Sequence, residues 1–354
     1  MPRLCSEDLS HVLSHTESLW GDLRGQCLFL TGGTGFVGTW MLETLLFAHD
    51  KLDLHVNVVV LTRDPARFRE NAPHLAGHSA VRLLGGNITG FEFPEGDYPF
   101  VIHAATEASF AADSRRPLGT FTTDVDGTRR VLEFARTHGA RRFLFTSSGA
   151  VYGKQPSDMT HIPEEYVGAP STTDVASAYG QAKRSSEFMC VMYGRAYAFD
   201  AIIARLFAFV GPLLPLDAHY AVGNFIRDAL RGGPVRIAGD GTPYRSYLYA
   251  ADLAIWLWTL LFRGQAAYPY NVGSHHDMTI EDLARTIVQV AAPGASIEIA
   301  HRANREAPPL RYVPRVHRAQ NELGLCITVP PEEGIRRTAE WHRIRLNLGQ
   351  LTGI

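Results

Sequence analysis

The chain has 354 residues, of which 45% are hydrophobic and 20% charged, so it can bury the core of one large domain or two moderate ones. Its formal net charge of -2 leaves no excess of positive charge for a nucleic-acid backbone or an anionic membrane surface. We therefore expect neither nucleic acid nor a membrane as a partner.

The cysteines predict neither a metal site nor a disulfide framework, because they are widely spaced and include no Cys-x-x-Cys pair. They are Cys5, Cys27, Cys190 and Cys326. The amino terminus has no signal-like pattern, and no run approaches the roughly 18 apolar residues of a membrane span. We expect a soluble, unprocessed, cytoplasmic protein that binds no metal.

Residues 1–24 place apolar side chains at helical spacing and predict an appended amphipathic helix packed on the main body. Residues 26–30 predict a buried strand, followed by a glycine turn at 31–38 and a helix from Phe36 to about Ala48. Further strands are predicted at 56–61, 81–84, 100–103, 142–146 and 201–206, with a helix at about 121–137. Short apolar strands alternating with helices predict a Rossmann-type, doubly wound parallel α/β sheet, here residues 25–207.

Beyond about Gly211, glycine and proline pairs separate shorter elements. We expect residues 208–345 to form mostly a smaller, mixed α/β substrate-binding lobe. Residues 246–265 are apolar and helical in pattern, and they are expected to return and pack on the first domain.

The glycine turn lies between a predicted strand and a predicted helix. Small residues there let the backbone approach a pyrophosphate, which the N–H groups and dipole of the helix amino terminus attract. A tight turn without a ligand is the alternative, but this context predicts a dinucleotide site. Its candidate residues are Gly32, Thr34, Gly35, Phe36, Val37 and Gly38.

The end of the second strand bears on which dinucleotide binds. Arg63 favours NADP, because a basic residue there accepts the 2′-phosphate, whereas Asp64 keeps NAD open, because an acidic residue binds the ribose 2′-hydroxyl. A solvated loop arginine is the remaining interpretation of Arg63. The expected cofactor is NADP or NAD, with NADP slightly favoured.

Two later strand ends supply further cofactor candidates. Asn87, next to Ile88, could place its amide on an adenine edge, although a turn residue is an equal alternative. His103, Ala104 and Ala105 end the fourth strand with small residues that would let the backbone run beneath the cofactor. For His103 itself a packed structural histidine is favoured over a catalytic one.

Tyr179 and Lys183 are four residues apart and share a face if their segment is helical. A neighbouring ammonium favours the phenolate and would lower the pKa of Tyr179 from about 10 toward neutrality, which makes the phenol a usable acid or base. Ser148, at the end of the fifth strand, could hold the reacting hydroxyl for Tyr179, with a simple cap as the alternative. These three are the predicted catalytic residues, and Tyr152 is expected to pack.

Together these motifs resemble the extended short-chain dehydrogenase/reductase family, which contains nucleotide-sugar epimerases and dehydratases. The similar segments span nearly the whole chain: 32–38, 102–105, 125–128, 147–153, 179–183, 210–212 and 239–249. The resemblance implies Tyr179 as the acid/base, Lys183 on the nicotinamide ribose and Ser148 orienting a nucleoside-diphosphate sugar. Arg245 and Arg311 resemble the arginines that bind the diphosphate. Asn224 is a further substrate-binding candidate.

Several positions depart from the pattern that the resemblance implies. Dehydratases of the family carry Asp-Glu directly after the catalytic hydroxyl residue, whereas this chain has Gly149 and Ala150, which cannot transfer protons. Glu107 is a carboxylate that could substitute, although a loop charge is favoured. Asp124 and Ala208 replace two asparagines of the family, which puts the usual contacts with the substrate in doubt.

The predicted function is an epimerase that removes hydride from a sugar carbon, C4 by expectation, and returns it to the opposite face. An NADPH-dependent nucleotide 4-keto-sugar reductase is the main alternative, followed by an atypical dehydratase, and a dinucleotide sensor without chemistry is disfavoured. The resemblance also implies a homodimer formed through helices near 117–138 and 179–195. Four residues could supply its apolar face or belong to the core: Phe188, Met189, Val191 and Met192.

Overall fold

The centre of the protein is a parallel sheet of seven strands, as the computed structural model shows. The structure describes residues 3–106, 116–218, 220–304 and 308–352, with side chains as far as residue 346. Numbered in chain order, its strands are β1 (Cys27–Thr31), β2 (Asn57–Thr62), β3 (Val81–Gly85), β4 (Phe100–His103), β5 (Arg142–Ser148), β6 (Asp200–Leu206) and β11 (Pro269–Val272). Their order across the sheet is β11–β6–β5–β4–β1–β2–β3. This confirms the predicted doubly wound α/β fold.

The order of the strands reverses at β1, because the chain runs outward to β2 and β3 and then crosses over to β4 on the other side of β1. In sheets of this kind the crevice at the carboxyl ends of the strands on either side of the reversal holds the ligand. The glycine turn and the end of β4 both lie at that crevice.

Both faces of the sheet are buried, which explains the nearly continuous apolar strands of the sequence. Leu28 and Leu30 belong to one hydrophobic cluster, whereas Phe29 between them belongs to a second cluster on the opposite face. Phe29 packs there on Phe134, with their ring centroids 4.3 Å apart. The helices of this half are α1 (Ser6–Thr16), α2 (Phe36–Leu52), α3 (Pro65–Asn71), α4 (Pro73–Ala76), α5 (Pro117–Thr137) and α6 (Ala178–Tyr197).

The remaining elements form three small sheets and five more helices within the described ranges. The strands are β7 (Phe209–Val210), β8 (Val235–Ile237), β9 (Tyr244–Ser246), β10 (Leu248–Tyr249), β12 (Asp277–Thr279), β13 (Ile297–Ile299) and β14 (Arg311–Tyr312). The helices are α7 (Ala221–Leu230), α8 (Ala250–Arg263), α9 (Ile280–Ala291), α10 (His317–Leu323) and α11 (Pro331–Thr352). In the mixed sheet β12–β9–β14, β12 runs antiparallel and β14 parallel to β9. None of the helices in these ranges has an apolar stretch that could cross a bilayer.

Two segments from beyond residue 208, helix α8 and strand β11, contact elements of the amino-terminal part of the chain. Helix α8, which lies within residues 246–265, packs against α1, α2 and the strands β5 and β6. Strand β11 pairs with β6 at the edge of the main sheet, and the sequence did not predict it. Its first residue is Pro269, and a proline fits only at the start of a strand or at a sheet edge, so the segment has no typical strand pattern.

The amino-terminal segment is α1 followed by a 3₁₀ segment, Glu17–Leu23. It packs through Trp20, whose ring centroid lies 4.7 Å from that of Trp258 on α8. The buried carboxylate of Asp8 accepts hydrogen bonds from the Tyr249 hydroxyl, at 2.7 Å, and from an Arg337 guanidinium nitrogen, at 2.8 Å. The segment is therefore held to the main body by both apolar packing and a buried ion pair.

Candidate active site

The glycine turn joins β1 to α2, and at two of its positions the neighbouring backbone leaves no room for a side chain. Gly32 has a φ of +72°, and a Cβ there would lie 2.5 Å from the backbone of Ala104. A Cβ on Gly38 would lie 2.1 Å from the Gly32 carbonyl oxygen. Gly35 is different, because its Cβ would come no closer than 3.4 Å to that oxygen. These glycines let β1, β4 and α2 approach one another closely.

Helix α2 begins directly after this turn, at Phe36, with Gly35 in the N-cap position. Glycine has no side chain to cap the first N–H groups of the helix, which are therefore available to an anion. Thr34 and Gly35 are exposed, whereas Phe36 and Val37 pack partly against the main hydrophobic cluster. The turn thus fits the pyrophosphate of a dinucleotide.

At the end of β2 the two candidate residues have different surroundings. The carboxylate of Asp64 caps α3 by accepting a hydrogen bond from the Arg67 backbone N–H at 2.9 Å. Arg63 is exposed beside it. Asp64 therefore has a structural role, and Arg63 remains as the candidate at the ribose end of the crevice.

After β3, the two cofactor candidates Asn87 and Ile88 also have different surroundings. The side-chain oxygen of Asn87 accepts a hydrogen bond from the Thr89 backbone N–H at 3.3 Å, which is the turn alternative noted from the sequence. Ile88 is half-buried and packs on Gly127 of α5, where an added Cβ would lie 2.9 Å from its side chain. Ile88 thus contributes its side chain to the core.

His103 is a packed structural residue. Its ring nitrogens lie 2.8 Å from the Thr31 hydroxyl and 3.1 Å from the Thr128 hydroxyl. Burial, with a smaller contribution from the nearby Lys183 ammonium, lowers the pKa of His103 to about 3. It is therefore neutral at physiological pH. The Ala105 backbone N–H donates to the Thr31 hydroxyl at 3.2 Å, which joins the ends of β1 and β4.

Tyr179 and Lys183 lie one turn apart on α6, with the Lys183 Nζ 5.7 Å from the centroid of the Tyr179 ring. Lys183 is buried and donates a hydrogen bond to the Thr146 carbonyl oxygen at 3.1 Å. Its Nζ also lies 3.9 Å from a carboxylate oxygen of Asp124 on α5. The predicted pair is thus brought together, and a carboxylate lies next to it.

The structure corrects the expectation that Lys183 brings the Tyr179 phenol toward neutrality. The side chain keeps some exposed surface, but its hydroxyl is surrounded by protein, and this burial raises the pKa of Tyr179, with a further increase from the Asp124 charge. The physical reason is that Asp124 offsets the ammonium charge while the phenol loses contact with water.

Ser148 lies between two phenols, those of Tyr179 and Tyr312. It ends β5, and its hydroxyl accepts a hydrogen bond from the Ala150 backbone N–H at 3.1 Å, so it caps the 3₁₀ segment Gly149–Tyr152. The proximity of this hydroxyl favours the phenolate of each tyrosine, against the larger effect of burial. Burial raises the pKa of Tyr312 to about 12. The sequence analysis missed Tyr312.

The space beside Gly149 is filled by aromatic side chains. A Cβ on Gly149 would lie 2.7 Å from the Tyr312 hydroxyl oxygen and 2.8 Å from ring atoms of Phe207. The two rings contact each other, with centroids 4.7 Å apart. A carboxylate side chain at position 149 would therefore displace Tyr312 or Phe207.

The structure does not bring Arg245 and Arg311 together. Arg245 is the register partner of Tyr312, and its Cζ lies 5.9 Å from the Tyr312 ring centroid. Arg311 is the register partner of Tyr244, so it lies on the opposite face of the small sheet. There it stacks on Tyr244 and forms an ion pair with Asp277 at 2.8 Å. That both arginines hold one diphosphate therefore stays a prediction.

Asn224 lies half-buried on α7, where its side-chain oxygen accepts a hydrogen bond from Arg227 at 3.3 Å. Two other positions from the sequence analysis remain. Glu107 lies outside the described residues, and Ala208 is an apolar residue packed against the main hydrophobic cluster.

A buried network fixes α6 to the ends of β5 and β6. Glu187, one turn beyond Lys183, accepts hydrogen bonds from Arg205 at 2.9 and 2.7 Å and from the Ser147 hydroxyl at 2.5 Å. Arg205 also donates to the Tyr152 hydroxyl at 2.8 Å, and Tyr152 donates to Asn271 at 2.7 Å. Tyr152 is thus a packed support, as predicted. No sequence pattern indicates the Glu187–Arg205 pair, because its partners lie on different elements.

Comparison with known proteins agrees with this geometry. Residues 28–273 match the family model described as the NAD dependent epimerase/dehydratase family. The chain belongs to this family. Membership in the epimerase/dehydratase family confirms the resemblance and the predicted enzyme class, nucleotide-sugar epimerases and dehydratases that use a nicotinamide dinucleotide.

Relatives in the epimerase/dehydratase family have different activities. The chain is 32% identical to UDP-glucuronic acid decarboxylase 3 of Arabidopsis thaliana over 322 residues, which cover 91% of this chain and 90% of the relative. It matches the structure of UDP-glucose 4-epimerase from Thermotoga maritima with a TM-score of 0.76 at 23% identity, covering 91% of this chain and 100% of that one. It also matches dTDP-glucose 4,6-dehydratase from Streptomyces venezuelae, solved with NAD, with a TM-score of 0.77 at 25% identity, covering 91% and 98%. The family therefore does not specify the reaction.

Proposed function

We propose that this protein is a nucleotide-sugar epimerase that oxidises a sugar hydroxyl, at C4, and reduces the resulting ketone from the opposite face. Two observations support this proposal. Tyr179, Lys183 and Ser148 lie in one site beside the glycine turn, and the position after Ser148 is a glycine whose surroundings Tyr312 and Phe207 fill. The second observation argues against the elimination of water that a dehydratase performs.

Each residue has a defined task in this scheme. Ser148 holds the reacting hydroxyl by hydrogen bonding, and Tyr179, in its phenolate form, accepts its proton and later returns it to the newly formed alkoxide. Lys183 lies at the position expected to contact the ribose of the dinucleotide. The dinucleotide, when bound, supplies the hydride acceptor and donor. Arg245, near Tyr312, is placed to bind an anionic group of the substrate.

The glycine at position 149 argues against elimination of water. A 4,6-elimination needs a base for a carbon-bound hydrogen and an acid for the leaving hydroxyl. Gly149 and Ala150 carry no group that transfers protons. Because Tyr312 and Phe207 fill the adjacent space, a side chain from position 149 could not reach the substrate without rearrangement.

Decarboxylation is a second candidate, because the 32% identical relative is a UDP-glucuronic acid decarboxylase. After oxidation at C4, a uronic acid can lose carbon dioxide as the electrons of the broken C–C bond move to the C4 ketone. The enol formed then takes a proton on carbon, and the ketone is reduced. This route needs no base for a carbon-bound hydrogen and is therefore compatible with Gly149.

One experiment separates these reactions. The purified protein is incubated with UDP-glucose and with UDP-glucuronic acid, without added dinucleotide, and the products are separated and weighed by mass spectrometry. The proposal expects an isomer of unchanged mass. A product lighter by carbon dioxide would replace the epimerase by a decarboxylase, and loss of water would refute the reasoning about Gly149. Because neither substrate carries a ketone, the reductase is tested separately with a nucleotide 4-keto sugar, and turnover of that sugar alone, only with added NADPH, would indicate the reductase.

We propose further that the site prefers NADP over NAD. Supporting this, Asp64 is engaged as the cap of α3 while Arg63 stays exposed at the end of β2. The Arg63→Ala variant should bind NADP at least about tenfold more weakly, since a charge-assisted hydrogen bond contributes about 1.5–3 kcal/mol, while its affinity for NAD stays unchanged. Equal losses for both dinucleotides would contradict the preference.

We also propose a homodimer that forms through α5 and α6. Phe188 is 66% exposed and Met192, one turn later on α6, is 44% exposed, while Met189 and Val191 are half-buried. Exposed apolar side chains at helical spacing typically indicate a contact surface. Light scattering should give twice the chain mass for the natural protein and a monomer for Phe188→Asp; a monomer in both would refute the dimer.

A cytoplasmic location completes the proposal. Among the residues that the structure describes, the four cysteines are free thiols, which fits a reducing compartment. Fractionation of cells that express a tagged chain would test this.

A further inference from the structure

A buried carboxylate lies directly behind the catalytic pair. Asp124 is on α5, and its side chain and that of Lys183 are each 2% exposed. The Thr106 hydroxyl is within hydrogen-bonding distance of both carboxylate oxygens, at 3.1 and 2.9 Å. The Lys183 Nζ lies 3.9 Å from the nearer oxygen. A charge this deeply buried is tolerated only when an opposite charge and hydrogen bonds stabilise it.

The other ionisable groups that face Lys183 do not offer the same partner. His103 on β4 is neutral between two threonines. Cys190 on α6 is buried, and burial raises the pKa of its thiol, so it carries no charge. Glu187, also on α6, is already paired with Arg205. Of the groups that face Lys183, Asp124 is thus the carboxylate that balances the charge of its ammonium.

The groups that face Tyr179 lead to the same residue. Tyr312 on β14 and Tyr220 before α7 are phenols, and burial raises the pKa of each. Neither carries a charge at physiological pH. Asp124, in contrast, is a charged side chain near Tyr179, and its carboxylate disfavours the phenolate.

We propose that Asp124 is a positioning residue, which fixes the Lys183 ammonium by a buried ion pair and offsets its charge at the phenol of Tyr179. The proposal rests on the proposed function in one respect, the role of Tyr179 as the acid/base. An ammonium with a carboxylate at this distance acts on the phenol nearly as a neutral pair. A neutral amide at position 124 would leave a net positive charge beside the phenol, which favours the phenolate.

The test uses the full chain with Asp124→Asn, which keeps the shape of the side chain and removes its charge. The acidic limb of the kcat/KM profile should move to lower pH by about one unit. The matched control is Thr106→Val, which removes a hydrogen-bond donor to the same carboxylate without changing any charge and should leave the limb in place. An unchanged limb in Asp124→Asn would overturn the proposal.

A second readout does not depend on activity. In Asp124→Asn the buried Lys183 loses its counter-charge, so its pKa in the folded state falls further below the unfolded value, and raising the pH stabilises the fold as the ammonium deprotonates. The Tm deficit against the natural protein should therefore shrink as the pH rises, while the deficit of Thr106→Val stays constant. A constant deficit in Asp124→Asn would overturn the ion pair. This measurement remains valid even if no nucleotide sugar is turned over, so the two proposals fail separately.

Discussion

Glu187 lies at the centre of the network that fixes α6, the helix that carries Tyr179 and Lys183, so Glu187→Gln is a sharp test of how the candidate site is supported. The carboxylate accepts two hydrogen bonds from Arg205 and one from Ser147. Glutamine would direct an NH₂ group at the guanidinium, donor against donor, and leave a charge that is only 13% exposed without its counter-ion. Removing one partner of a buried pair costs about 3–5 kcal/mol.

A matched control is Glu298→Gln. Glu298 pairs with Arg236, but these side chains are 58% and 68% exposed, and an exposed pair contributes about 0–1 kcal/mol. Thermal unfolding of both variants beside the natural protein measures the difference. At roughly 2–4 °C per kcal/mol, Glu187→Gln should lower the Tm by at least about 6 °C and Glu298→Gln by a few degrees at most. Similar small shifts in both variants would refute the buried network as a major support.

Three further predictions concern the site itself. Tyr179→Phe should lower kcat by about 10²–10⁴-fold with an unchanged Tm, and turnover close to the natural rate would exclude it as the acid/base. Gly38→Ala should weaken dinucleotide binding at least about tenfold in a titration, because its Cβ would lie 2.1 Å from the Gly32 carbonyl oxygen. Gly21→Ala is its control, since a Cβ there meets nothing within 4 Å. Finally, the pKa of His103 falls from 6.5 to about 3 on folding, so the unfolded chain takes up a proton in that window and the folded protein does not. The free energy of unfolding should therefore fall by about 1.4 kcal/mol per pH unit as the pH is lowered, and His103→Gln should reduce this slope.

The central sheet could be predicted because its strands are buried on both faces. Each strand is therefore a short, nearly continuous apolar run that can be recognised in the amino-acid sequence without knowledge of its neighbours. The glycine turn and the Tyr179–Lys183 pair were equally accessible, since each depends on contacts between near neighbours in sequence. Strand β11 was missed because Pro269 and Asn271 interrupt the apolar pattern.

The substrate side of the site was harder to predict, for a physical reason. Arg311 and Tyr312 are neighbours in a strand of two residues, and only the pairing of that strand with β9 decides which of them faces the hydroxyls of Ser148 and Tyr179. The motif drew attention to the arginine, whereas the register places the tyrosine at the site. The effect of Asp124 on Lys183 likewise depends on the packing of α5 against α6.

The contacts of the first helix join segments that are far apart along the chain. Asp8 is held by Tyr249 and Arg337, and His11 lies 2.6 Å from the Thr328 hydroxyl, so each partner is at least 241 positions away. Closing loops of this length costs conformational entropy that contacts between near neighbours avoid. Docking of α1 should therefore follow the folding of the segments that receive it, which makes it one of the late steps of folding.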